Sequence, residues 1–112
     1  MNLEVIRSSY FTAAFKKLSK HYRGIVDDYE VFLEDLKANP HQGVEIAPHI
    51  RKVRMAITAK GKGKAGGARV ITFDALVSEQ GGKLYLLFIY DKAKASNIKM
   101  NVIKAIIKEL GL

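Results

Sequence analysis

The spacing of apolar residues changes repeatedly along the chain, and each change marks an element. Leu3, Val5 and the residues around them read as a short first strand, which ends at Ser8 and Ser9, a pair able to cap a helix. Phe11, Ala14, Phe15, Leu18 and Tyr22 then recur at offsets of three and four, with Lys16, Lys17 and Lys20 on the other side. That spacing predicts an amphipathic helix stopping near Gly24. Ile25, Tyr29, Phe32, Leu33 and Leu36 repeat the pattern, Asp27 and Asp28 suit the positive end of a second helix, and Asn39-Pro40 stops it. Two such helices on so short a link form an antiparallel hairpin whose apolar stripe has to lie on a sheet.

Gly43 to Pro48 reads as a loop. Beyond it Val53, Met55 and Ile57 alternate with Lys52, Arg54, Ala56 and Thr58, which predicts a half-buried strand with a basic outer face. Ala59 to Gly67 holds three lysines and four glycines, too polar and flexible for an element interior, and is expected to be a long hairpin loop. Ala68 to Leu76 is the next strand, Gly81 and Gly82 turn the chain, and the continuous apolar run Leu84 to Tyr90 suits a strand buried on both faces. Ser96 or Asn97 is the expected cap of a last helix, with Ile98, Val102, Ile103, Ile106, Ile107 and Leu110 as its stripe and Gly111 past its end. The expected class is α+β, in the order βααβββα. It is a mainly antiparallel sheet of about four strands with an N-terminal helical hairpin and a C-terminal helix, in one domain over 1–112.

Composition narrows the chemistry. The absence of cysteine excludes disulfides, a thiolate zinc site and a cysteine nucleophile, and fits a cytoplasmic protein. Met1 to Thr12 lacks a basic region followed by an apolar run, and no segment approaches the roughly 18 apolar residues of a membrane span. Neither export nor membrane insertion is expected. The 19 Lys and Arg outnumber the 11 Asp and Glu, a formal charge of +8. Solvated surface charge explains that total as well as a polyanionic partner does. Clustering favours the partner: from Ile46 to Phe73 stand Arg51, Lys52, Arg54, Lys60, Lys62, Lys64 and Arg69, with no acid among them.

Gly61, Gly63 and Gly66 match G-x-G-x-x-G, but a dinucleotide fingerprint must open a helix and a strand pattern follows here, so that reading is rejected. His21, His41 and His49 show no helical i, i+4 spacing and no acid set beside them. They read as ordinary surface histidines in preference to a metal set or an acid/base pair. The strongest constellation is Lys52 and Arg54 on one strand face, Arg69 opening the next strand, and Tyr90 with Lys92 ending the third. Neighbouring strands bring such groups to one end of the sheet. RNA cleavage by its own 2′-hydroxyl needs a base, cations for the pentavalent phosphate and an acid for the leaving oxygen, with no metal or cofactor. A binding platform without chemistry fits the same residues. Arg51, Lys60, Lys62 and Lys64 are the further candidates for RNA contact.

Lys52 to Arg54, then Gly63-Lys64-Ala65-Gly66-Gly67-Ala68-Arg69-Val70-Ile71, then Leu86 to Lys92 with Asn97 close behind, resemble the RelE/HigB branch of bacterial toxin-antitoxin toxins. The hairpin Tyr10 to Asn39 and the Asn39-Pro40 stop resemble it too. The resemblance implies a curved antiparallel sheet with helices on one side. It implies an endoribonuclease cutting mRNA in the ribosomal A site, and a cognate antitoxin covering the active site. Carried over, Lys52 is the general base, and Arg54, Arg69 and Lys92 stabilise the phosphate. Arg54 replaces a lysine, and Ile98 stands where an aromatic residue is expected, leaving Tyr90 as the stacking ring or acid. A topoisomerase-poisoning toxin of the related ParE type and a non-catalytic RNA-binding module are the alternatives.

Overall fold

The computed structural model describes residues 2–112. Met1, part of the stretch read for an export signal, lies outside them. Along the chain run β1 (Asn2–Arg7), α1 (Ser9–His21), α2 (Ile25–Ala38), β2 (Val44–Ala47), β3 (Ile50–Met55), a single 3-10 turn (Thr58–Lys60), β4 (Ala68–Ser78), β5 (Gly81–Asp91) and α3 (Met100–Glu109). The class is α+β, with three helices and one five-stranded mixed sheet in the order β1-β5-β4-β3-β2. β1 runs parallel to β5, and every other neighbouring pair is antiparallel.

Local chemistry sets the helix limits. Ser8 caps α1: its Oγ accepts from the Phe11 N–H at 2.9 Å and donates to the Leu87 carbonyl at 2.6 Å, so one buried hydroxyl starts the helix and ties it to β5. Gly24, at φ 82°, takes the left-handed turn between the helices, and Asn39 ends α2 before Pro40. Phe11, Tyr29, Phe32 and Leu36 bury themselves against Val53, Met55, Val70, Leu84 and Leu86 of the sheet. The aromatic rings interlock, Phe15 lying 5.0 Å from Tyr29 and 6.0 Å from Phe11.

The second face carries α3, whose Ile103 and Ile106 pack with Ile50, Ile71, Tyr85, Leu87 and Tyr90. This corrects the expectation of helices on one side. The apolar β5 run has a second face to hide, and only the C-terminal stripe is left to cover it. Two boundaries also differ from the sequence reading. Val44–Ala47, read as a loop, is an edge strand that pairs with β3 through the turn at Pro48 and His49, so the sheet has one strand more and the order is βααββββα. Helix α3 begins at Met100 behind Lys99, with no side-chain cap, and not behind Ser96 or Asn97. No helix among the described residues is long and apolar enough to cross a membrane.

Candidate nucleic-acid interface

Strand register builds the basic site. Arg54 on β3 stands opposite Arg69 on β4, and Arg69 stands opposite Tyr90 on β5. Side chains alternate along a strand, so Arg69 shares the α3 face with Ile71, and Lys52, opposite Ile71, joins them. Lys52, Arg54, Arg69 and Tyr90 thus occupy one face. Directly opposed residues have Cβ atoms about 5 Å apart, a distance at which like charges repel. The repulsion is relieved because the buried Arg69 guanidinium turns onto the backbone carbonyls of Lys64, Ala65 and Ala68, at 3.2, 2.9 and 3.1 Å. Among the described residues, no carboxylate forms an ion pair with Lys52, Arg54, Arg69 or Lys92.

The loop between β3 and β4 is held at both ends. Thr58 gives its N–H, at 3.0 Å, and its hydroxyl to Asp28 of α2. Gly67 lies so close to β3 that a Cβ would stand 2.1 Å from the Met55 carbonyl oxygen, a contact no other residue tolerates. Lys60 does not face solvent as an RNA contact. Its ammonium donates to Asp91 at 2.6 Å, where Tyr22 and the Ala93 N–H also donate. Burial pushes the Asp91 carboxyl up, but the hydrogen bonds from Lys60, Tyr22 and Ala93 and the Lys60 charge outweigh it and hold the group below the usual range. Lys64 reaches Asp35 of α2 at 3.4 Å, an exposed pair of little energetic weight. Lys62 is exposed and, with Lys60, Gly66, Lys92 and Ala93, lines a cleft of about 240 Å³. The Lys92 N–H donates to the Gly67 carbonyl at 3.1 Å, so the end of β5 closes on the end of the loop.

Two expected residues take other positions. The Tyr90 ring is only 8% exposed, packs in the α3-side core and donates its hydroxyl to the Ser96 carbonyl at 3.3 Å. It offers no open ring for a base to stack on, and Ile98 is half-buried against the same core. Arg51 alternates away from the basic row, and its Nε donates to the buried Asp74 at 2.8 Å. His41 and His49 meet that carboxylate too, His41 Nδ1 at 2.7 Å from Oδ2 and His49 Nδ1 at 3.4 Å from Oδ1. Burial raises the Asp74 carboxyl, and the hydrogen bonds from His41 and Arg51, with the Arg51 charge, bring it below its usual range. The sequence reading missed this cluster. Its available signal was Asp74 itself, an acid inside an otherwise apolar strand that had to find partners.

No family model matches the sequence. Chemically, the basic face presents Lys52 and Arg54 beside an anchored Arg69, with Lys62 and Lys92 across the end of the sheet. Such an array suits a phosphodiester backbone, since its cations are not consumed by acids of the same chain.

Proposed function

We propose that the protein is a RelE/HigB-type toxin, an mRNA endoribonuclease that works without a metal in the ribosomal A site and is restrained by a cognate antitoxin in the cytoplasm. The observation that carries the reading is the lateral row Arg54–Arg69 with Lys52 on the same face, cations free of carboxylate partners among the described residues. In this reading Lys52 takes the proton of the 2′-hydroxyl, and Arg54, Arg69 and Lys92 stabilise the phosphorane. The resemblance of the Gly63 to Ile71 run supports the same assignment.

Arg54→Ala is the informative variant, because Arg54 is exposed, whereas Arg69 also anchors the loop. Wild type and Arg54→Ala are induced in bacteria while 5′ ends are mapped on translated and untranslated copies of one message. Growth arrest with cuts in the translated copy alone, both lost in the variant, is expected. Arrest without cuts would transfer the reading to a ParE-like topoisomerase poison, and neither effect would leave a binding module.

A further inference from the structure

His41, His49, Arg51 and Asp74 meet around the middle of β4, farther along the strand than Arg69. Asp74 lies five residues beyond Arg69 on β4, roughly 17 Å at strand rise. The Asp74 carboxylate is buried and held ionised, so it accepts, and the ring nitrogen of His41 facing it at 2.7 Å carries the proton. In the neutral ring that arrangement leaves the lone pair on Nε2, and the side chain is half exposed. His49 turns its own Nδ1 toward the other oxygen of the same carboxylate, so both rings border one patch of surface. Arg51 spends only its Nε on Asp74. Its Nη2 forms a long ion pair with Glu45 at 4.0 Å, and the same Glu45 oxygen accepts from the His49 N–H at 3.1 Å.

The backbone adds a second observation. Pro48 and His49 make the tight turn from β2 to β3, and His49 sits there at φ 64°, the one non-glycine residue at positive φ among the described residues. Glycine or asparagine is the usual occupant of such a position, and another side chain there costs about 1 kcal/mol. Strain of this kind gathers at functional sites.

We infer that His41, His49 and Arg51, positioned by Asp74, form a second centre that cleaves ribonucleotide phosphodiesters free of any ribosome. His41 Nε2 takes the 2′-hydroxyl proton as the 2′-oxygen bonds to phosphorus, and the bond from phosphorus to the 5′-oxygen breaks. That oxygen leaves with a proton from the imidazolium of His49. The products are a 2′,3′-cyclic phosphate and a 5′-hydroxyl, and solvent returns both rings to their starting states. The Nη groups of Arg51 face the charge that gathers on the phosphate.

The test uses the full chain, without ribosomes, on a DNA oligonucleotide carrying one ribonucleotide, with an all-DNA oligonucleotide as control. Cleavage at the single ribonucleotide, ending in a cyclic phosphate, is expected to fall about 100-fold or more in His41→Ala and in His49→Gly. Glycine suits the turn, so the second variant keeps the fold. His21→Ala, remote on α1, retains the wild-type rate. An intact oligonucleotide with wild-type protein, or equal cleavage by all the variants, would overturn the inference. It is independent of the ribosome-dependent reading, which is tested through Arg54 in cells, so either can fail alone.

Discussion

Replacing Lys60 with methionine removes the cation from a carboxylate that has almost no access to water. The Lys60 and Asp91 side chains are 9% and 1% exposed, and the pair closes at 2.6 Å. Breaking such a pair from one side leaves an uncompensated buried charge and costs about 3–5 kcal/mol. Asp91 keeps Tyr22 and the Ala93 N–H as donors, which places the expected loss near about 3 kcal/mol, the lower end of that range. The pH dependence supplies a second check. In the wild type the Asp91 carboxyl is depressed, so its contribution is present above the unfolded value of about 3.9 and is lost as pH falls through the lower folded value. Without Lys60 two of the effects that lower the carboxyl are gone, so it moves upward from its wild-type position, and protonation relieves the buried charge. The penalty of Lys60→Met is therefore larger at pH 7 than at pH 4. Urea unfolding followed by far-ultraviolet circular dichroism at both pH values measures it. A loss below about 1 kcal/mol, the size of a surface pair, or a loss equal at both pH values, would refute the reasoning.

Gly67→Ala should destabilise the fold by about 1–3 kcal/mol, because the new methyl meets the Met55 carbonyl, a backbone atom that cannot swing away. Thermal unfolding reads this directly. Lys62→Ala should leave stability within about 0.5 kcal/mol and weaken RNA binding, lowering the salt slope of log K by about 1 in filter-binding titrations over a range of salt. An unchanged slope would remove Lys62 from the interface.

Elements fixed by neighbours in sequence were legible from the start. Ser8, Gly24 and Asn39-Pro40 act within one helical turn, and they set the limits of α1 and α2 where the pattern placed them. The alternation of Val53 and Met55 with Arg54 likewise reported a real division of faces. The failures involve partners far along the chain. Val44–Ala47 is a strand because β3 lies beside it, and four residues between Gly43 and Pro48 carry too little pattern to reveal that. The start of α3 was misplaced because Lys99 offers no cap for a rule to find. Charge could be counted but not paired: Lys60 and Arg51 looked equivalent to Lys62 until Asp91 and Asp74 came within reach. His41 and His49 show no helical spacing in the sequence, because two separate loops deliver them to one carboxylate.

The parallel pairing of β1 with β5 bears on the order in which the molecule can assemble. Asn2 pairs with Gly81 and Arg7 with Leu86, so the first strand made is matched to the last. A nascent chain that emerges N-terminus first can close the helical hairpin early, since its contacts are local, but residues 2–7 have no ladder to join until β5 has been synthesised. Ser8 waits as well, because the carbonyl it grips belongs to Leu87. Completion of this sheet is a late event in the life of the polypeptide, and a chain interrupted before β5 holds a first strand with unpaired edges and a helix pair that lacks the Leu84 and Leu86 part of its core.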